Sequence, residues 1–524
     1  MYDIIIRNGA VVYGTGKEKY LADVAVKDGK IAKIGKMKWV RGNKEIDAVG
    51  KIVSPGFIDI HNHSDSYWRL FLEPQLPSLV YQGITTIIGG NCGASIAPLS
   101  SGKIIEAVQK WADIKDVNVN WLSMGEFRHE MEQKKLGLNF AMLVGHGTLR
   151  RGIVGDEMRR LAKNELELFK NSLEESLEAG AIGFSAGLAY SHERDAKWDE
   201  LEYMLEIVKR YGKVFSLHLR DEGREIISAI SEAIDLDKES KISLQISHFK
   251  VMGKQNWPLA YEALQKIEEA QKSGIDVSFD IYPYTQTGSV LYIYLPAWAA
   301  EGGKRMLVRR LKEKHLREKI IEEMKKGAQY HYENAIVAIS SLNKSLPERK
   351  ISKIAETRGI SVEEVIVDLL IASEGRVITL LDCLGEENVR NAIAHPLAII
   401  ASDGAGYGIA HKDTGEIVHP RCFGTFPRVL GKYVRIEKLL TLEEAVKKMT
   451  SMPAKKLGFI DRGILQKKSI ADIVIFDPEK IIDKSTVEDP YQYAQGVSEV
   501  IVNGKFAMRD SQLTGEMGGE FITA

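Results

Sequence analysis

Eight short apolar, β-branched segments recur through the middle of the chain, and most are separated by segments of helical spacing. They are residues 57–61, 84–89, 139–144, 181–185, 214–218, 242–248, 277–282 and 398–403. Short runs of this kind suit strands covered on both faces. Helical patterns intervene at 103–111, 156–179, 199–211, 222–236 and 259–272. Such alternation specifies parallel strands joined by crossover helices, and eight strands point to an α/β fold, a TIM-like (β/α)8 barrel. A doubly wound open sheet is the alternative, but no Gly-x-Gly-x-x-Gly follows an early strand, so its dinucleotide-binding version lacks support.

The two ends of the chain share a different grammar. Residues 22–27 alternate, turn at Asp28-Gly29 and resume at 31–34. Residues 497–502 do the same through Asn503-Gly504 into 505–508, after a strand-like run at 471–476. Asp-Gly and Asn-Gly between such runs are hairpin signals. Neither end is large enough for a good core alone, so both are expected to build one small β-sandwich domain, residues 1–54 plus 424–524, around a barrel at 55–423. Roughly 110 residues separate Tyr284 from Ala398, far more than the about 2–6 of an ordinary connection. Within that gap, residues 305–326 are highly charged at helical spacing, which reads as a solvated helix face. A helical insertion after the seventh strand, at about 290–350, is expected to form a lid over the barrel mouth. Ser361-Val362-Glu363-Glu364 then opens a helix with a capping box.

Charge gives no reason to expect nucleic acid or an anionic membrane as partner: 71 basic residues face 72 acidic ones among 524. No apolar run approaches a membrane span, and the first residues lack the pattern of a signal peptide. Cys92, Cys383 and Cys422 are too few and scattered for a disulfide framework. A cytoplasmic protein is the expectation, with a homo-oligomer left open.

In a barrel of this type, chemistry sits where the strands end. His61 and His63 close the first segment, and on extended backbone they point the same way. Cys92 follows the second, in Gly89-Gly90-Asn91-Cys92-Gly93. His218 closes the fifth, His248 the sixth and Asp403 the eighth. These six residues stand at five strand ends on one rim. Imidazole and thiolate suit zinc. Cys92 has the alternative of a small buried hydrophobe, but glycines around Asn91-Cys92 favour a tight loop. Asp403 is the natural general base beside a metal; otherwise it is a turn aspartate before Gly404. His129, His315 and His331 lie in charged helical sequence, whereas His192, His395 and His411 are undecided. His146, at the end of the third strand, is either a substrate-side histidine or a packed rim residue.

These residues together resemble the amidohydrolase superfamily. Most of its members with two metals bridge them by a modified lysine on the fourth strand. This chain has Phe184-Ser185-Ala186-Gly187 there, and Cys92 after the second strand is similar instead to the N-acyl-D-amino-acid deacylases. Further stretches agree: Val144-Gly145-His146-Gly147-Thr148-Leu149-Arg150, His218-Leu219-Arg220-Asp221-Glu222, Gln245-Ile246-Ser247-His248-Phe249-Lys250, Asp280-Ile281-Tyr282-Pro283-Tyr284 and His419-Pro420-Arg421. The resemblance implies a tight zinc site of Cys92, His218 and His248. It implies a second, weaker or empty site at His61 and His63, with Cys92 and Asp403 shared or nearby. Asp403 would activate the water. Lys250 would hold the substrate carboxylate with Ser289 and with Tyr282 or Tyr284, and Tyr190 would be another substrate contact. Where the family often has His-His-Lys, Phe249 is expected to alternate away from the site. The implied reaction is zinc-dependent hydrolysis of a small N-acyl-D-amino acid to a carboxylate and a free D-amino acid. A related hydrolase of cyclic amides or short dipeptides is the nearest rival, and a metal-free non-catalytic relative the rival from another class.

Overall fold

The computed structural model describes residues 1–99, 117–155, 157, 159–194, 196–327, 332–340, 342, 346 and 349–523. The helix expected at 103–111 and His331 lie outside them.

All eight expected strands form. They are β1 (Phe57–Asp59), β2 (Ile84–Gly89), β3 (Asn139–Met142, continued as Val144–Gly145), β4 (Gly183–Gly187), β5 (Val214–His218), β6 (Ser243–Ile246), β7 (Val277–Ile281) and β8 (Ala398–Ile400). Neighbours pair in parallel in that order. The ring closes between β8 and β1: the Asp403 N–H donates to the His61 carbonyl at 2.8 Å, and the His63 N–H to the Gly404 carbonyl at 2.7 Å. Several strands stop short of the sequence segments because the backbone leaves the ladder just before the metal-capable residues. His248 and Asp403 have φ of 36° and 49°, the left-handed region, which cannot continue a strand.

Helices Lys163–Glu178, Trp198–Arg210, Ile226–Ser240 and Leu259–Lys272 cover the outside of the barrel. Each buries an apolar stripe, such as Phe169, Leu173 and Leu177 in the first. That spacing places one side chain per turn against the strands, and each such residue contributes about 1.5–3 kcal/mol of burial.

The two chain ends meet as expected. Strands Tyr2–Val11, Tyr20–Lys27, Lys30–Gly35, Gly42–Asp47 and Ile52–Pro55 join Ile473–Phe476, Val497–Val502, Lys505–Arg509 and Gln512–Leu513 in one sheet. The seam is antiparallel, Ile52–Pro55 against Ile473–Phe476. Lys30 bridges back to Ile470, so the sheet folds over a shared core of Ile4, Ile6, Val24, Ile473, Ile475 and Ile501, a small sandwich. Both hairpin turns carry positive φ at the predicted residues, Asp28-Gly29 (52°, 70°) and Asn503-Gly504 (50°, 78°), as a two-residue turn requires.

Two boundaries differ from expectation. The division expected at 424 cuts through a helix, Arg421–Arg428, and helices Leu442–Met449 and Ser451–Lys456 follow it. These last two pack against β1, and the former also against β8, because Ala445, Val446 and Met449 form an apolar face toward the barrel. The strands of the terminal domain resume only at Ile473. The insertion after β7 is also wider and not purely helical. Strands Gln286–Val290, Ile336–Ser340 and Val377–Asp382 make an antiparallel sheet, with Val377–Asp382 in the centre. Helices Gly303–Lys312, Lys314–Gly327, Ile351–Arg358 and Val362–Ala372 complete it. The capping box at Ser361 forms, its hydroxyl accepting from the Glu364 N–H at 3.2 Å. Among the described residues, no helix is long and apolar enough to cross a membrane.

Candidate metal centre

Because the strands are parallel, their C-terminal ends share one rim, and the six expected residues converge there. Cys92 Sγ lies 3.4 Å from His61 Nε2 and 3.3 Å from His248 Nε2. Asp403 Oδ1 lies 3.1 Å from His63 Nε2 and 3.5 Å from His61 Nε2. Ligands about 2.0–2.3 Å from a tetrahedral zinc stand about 3.3–3.8 Å apart; the separations from His61 and His248 fall in that range, and the His63–Asp403 pair is slightly closer. Three groups of donor atoms lie within 4.8 Å of one another: His61, Cys92 and His248; His61, His63 and Asp403; His218, Glu222 and His248. All are buried.

The backbone is bent to achieve this. Cys92 has φ of 54°, so three of the six metal-capable residues are left-handed without being glycine, a conformation that costs of order 1–3 kcal/mol each and collects at functional sites. The Cys92 loop needs its glycines. A Cβ on Gly90 would sit 2.0 Å from the Leu143 carbonyl oxygen, and one on Gly93 2.2 Å from Glu193 Oε1.

The electrostatics call for a cation. Burial pushes the Cys92 thiol up, but His61 and His248 outweigh it and hold the thiol well below its ordinary range. Burial likewise opposes ionisation of Asp403, yet Arg421, whose Nη1 is 2.8 Å from Asp403 Oδ2, holds that carboxyl well below the usual range. Around this charge His248 rises to about 9 despite burial and the Lys250 charge, with Glu222 and Cys92 raising it. His61 rises well above its ordinary value against burial, through Asp280 and Cys92. A metal ion would displace those protons. His218 is buried with Glu222 Oε2 3.5 Å from its Nε2, and with Glu222 and His248 it makes another donor set suited to a metal.

Three contributors had no role assigned from sequence. Glu222 brings Oε1 to 3.0 Å from His248 Nδ1 and 2.5 Å from Lys250 Nζ. Asp280, on β7, accepts from the His248 N–H at 2.8 Å and lies 3.2 Å from His61 Nδ1, which leaves His61 Nε2 facing the centre. Arg421 is the third. All three sit in stretches that resemble the family, and for Glu222 the His218-x-x-x-Glu222 spacing was the available signal.

The centre opens into a recess of about 850 Å³, including the part open to solvent. Tyr190, Lys250 and Ser289 line it; the Tyr190 ring lies 4.9 Å from that of His218. Tyr282 does not line the recess but faces a small cavity beside Lys250, with the Arg421 guanidinium 4.7 Å from its ring. Tyr284 pairs instead with Arg428 at 4.7 Å, so of the two tyrosines Tyr282 is the one beside Lys250 and Arg421. Phe249 packs on Phe279 at 5.1 Å, away from the recess. His146 is buried between Glu193 (3.1 Å) and Glu200 (2.9 Å), outside the recess. Burial pushes the thiols of Cys383 and Cys422 up, to about 12 and about 11, so neither resembles the Cys92 thiolate.

Residues 44–508 match the amidohydrolase family. The chain is 31% identical to a D-aminoacylase of Alcaligenes xylosoxydans xylosoxydans, over 99% of this chain and 97% of that protein. It is also 31% identical to an N-acyl-D-glutamate deacylase of the same organism, over 96% and 93%. A crystal structure of N-acyl-D-glutamate deacylase from Bordetella bronchiseptica, complexed with zinc and a phosphonate inhibitor, superposes with a TM-score of 0.85 at 29% identity, covering all of both chains. A match through the barrel and part of the terminal sheet, with likeness along nearly the whole length, places this chain in the amidohydrolase family, among the N-acyl-D-amino-acid deacylases.

Proposed function

We propose that the protein is a zinc-dependent deacylase that hydrolyses N-acyl-D-amino acids to a carboxylate and a free D-amino acid. The observation that carries this reading is the geometry: the buried Cys92 Sγ lies 3.4 Å from His61 Nε2 and 3.3 Å from His248 Nε2, with Asp403 Oδ1 3.5 Å from His61 Nε2. Cys92, His218 and His248 would hold the tight zinc, and His61 and His63, with Cys92 and Asp403, a weaker second ion. Zinc there supplies Lewis-acid polarisation of the amide carbonyl and acidifies a water.

The chain's own residues do the rest. Asp403 Oδ2 is held by Arg421, which leaves Oδ1 turned toward His61 and His63. Ionised, Oδ1 accepts the proton of the attacking water and returns it to the leaving nitrogen. Lys250 and Arg421 are the cations of the recess, and Lys250 takes the substrate carboxylate together with Ser289 and Tyr282. Glu222 shares the Lys250 ammonium and fixes its position. Tyr190 covers His218 and bounds the space for the substrate. The partner is thus a small molecule, with no nucleic acid or membrane surface and a cytoplasmic setting; near-zero net charge supports this. Light scattering reads whether the chain forms a homo-oligomer.

The test is amine release from matched N-acetyl-D- and N-acetyl-L-methionine by zinc-reconstituted protein. Release from the D form alone is expected. Release from neither, with zinc bound, overturns the reading. Asp403→Ala should lower kcat by ~10³-fold while the tight zinc is retained; unchanged turnover would remove Asp403 from the mechanism.

A further inference from the structure

The two relatives compared above act on different substrates by name, yet each is 31% identical to this chain. Identity therefore does not decide which side chain is accepted, but the recess does. Its floor is polar: the metal-capable residues, Lys250, Arg421 and Ser289. The facing wall is apolar and comes mostly from the insertion: Met252, Ile293, Ile339, Ile378, Leu380 and Val418. Ile378 and Leu380 alternate along Val377–Asp382 and so share a face, and Ile339 is the cross-strand partner of Ile378. Opposite Leu380 stands Gly288, which adds no side chain over it.

Charge is equally restrictive. Among the described residues, the two lysine or arginine side chains that line the recess are both buried and both already paired: Lys250 with Glu222 at 2.5 Å, and Arg421 with Asp403 at 2.8 Å. Arg220, in the neighbouring crevice, is held by both oxygens of Glu232 at 2.8–2.9 Å. One substrate carboxylate, the α-carboxylate, can be shared with the floor. A second, on an aspartate or glutamate side chain, would face the apolar wall with no unpaired cation among the described lining residues, and a buried unpaired charge is strongly disfavoured.

We propose that this enzyme selects N-acyl-D-amino acids with uncharged apolar side chains of the leucine, methionine and phenylalanine kind, and that the inserted sheet supplies the selecting wall. The proposal rests on the deacylase reading above. The experiment measures kcat/KM of zinc-reconstituted protein on N-acetyl-D-leucine, N-acetyl-D-glutamate and N-acetyl-D-aspartate. The acyl group is constant, so differences report on the side chain. A preference of at least ~100-fold for the leucine derivative is expected. Comparable or faster hydrolysis of either acidic derivative overturns the selectivity and leaves the deacylase reading standing. No release from any D substrate, with zinc bound, sinks the deacylase reading itself.

A second measurement locates the wall. Ile339 is half-buried, so Ile339→Arg can place a guanidinium at the edge of the recess. It should narrow the leucine-to-glutamate ratio at least ~10-fold at unchanged zinc content. An unchanged ratio in a folded, zinc-loaded variant overturns the assignment to the inserted sheet. If that variant does not fold, Ile339→Ala serves: a lower kcat/KM for the leucine derivative with little change for N-acetyl-D-alanine is expected, and equal effects on both overturn the assignment.

Discussion

Cys92 reaches the centre only because Gly93 lets a carboxylate come close. Gly93 has φ of 72°, and its missing Cβ is filled by Glu193. Glu193 cannot retreat: it accepts from the Gly187 N–H at 2.8 Å and pairs with His146 at 3.1 Å and His192 at 3.1 Å. Gly93→Ala should therefore cost ~2–4 kcal/mol and lower zinc per chain, read by metal analysis and denaturant titration; full zinc content at unaltered stability would show the contact is dispensable. The same cluster makes a pH prediction. Burial lowers the His146 pKa, but its bonds to Glu193 and Glu200 raise it to about 9, against about 6.5 in an unfolded chain. A raised folded value means the folded state holds the proton more tightly. The stabilisation is complete below about pH 6.5 and is lost as pH rises through about 9, by at most about 3 kcal/mol. Wild type should lose more stability than His146→Gln between pH 6 and pH 9.5 in urea unfolding, and parallel losses would refute it. At this scale the metal-capable residues were legible because each ends or closely follows a strand, a local signal. Glu222, Asp280 and Arg421 act by pairing across different β/α units; the His218-x-x-x-Glu222 spacing hints at Glu222, but no spacing in the chain announces the pairs that Asp280 and Arg421 make.

Among elements, the barrel strands were readable because buried parallel strands are written as short β-branched runs. The inserted sheet was not: Gln286–Val290 is polar with a glycine at its centre, and its partner Val377–Asp382 lies some ninety residues on. The junction of β1 and β8 shows how little ladder a closed barrel needs when a side chain takes over. Asp59 Oδ1 accepts from the Ser402 N–H at 2.8 Å, while Oδ2 accepts from the Ser402 hydroxyl and from Asn62 Nδ2 at 2.8 Å. Burial pushes the Asp59 pKa up to about 6, so these donors hold a carboxylate that the interior disfavours. Asp59→Ala would leave a buried N–H and an amide unpartnered beside His61 and Asp403. A loss of ~2–4 kcal/mol is expected, with a matching fall in the urea midpoint. Asp59→Asn, which keeps an acceptor, should lose less, and equal losses would contradict the hydrogen-bond account.

Over the whole molecule, the joining of both ends in one sheet could be read from two matching hairpins, because Asp28-Gly29 and Asn503-Gly504 fix their turns locally. The last residues could not be read, since their partners lie almost four hundred positions away. The first half of β3 pairs with β2, and only its continuation at Val144–Gly145 pairs with β4. Residues 519–522 run beside that first half: the Phe140 N–H donates to the Glu520 carbonyl at 2.9 Å, and the Ile522 N–H to the Phe140 carbonyl at 2.7 Å. Phe521 lies 5.9 Å from both Phe127 and Phe140. The tail thus binds the start of β3, at the end of the barrel opposite the metal-capable rim. Removing residues 516–524 should withdraw these bonds and the Phe521 packing, worth ~2–4 kcal/mol. In a chain of this size that is a fall in Tm of about 2–4 °C. Zinc content and kcat/KM should be preserved, because these contacts of the tail are with the start of β3 and with Phe127, away from the metal-capable residues. Calorimetry and a deacylase assay on the same preparation decide it: an unaltered Tm would make the tail a passive strand, and a lost activity at full fold would mean that strain at the start of β3 reaches the rim.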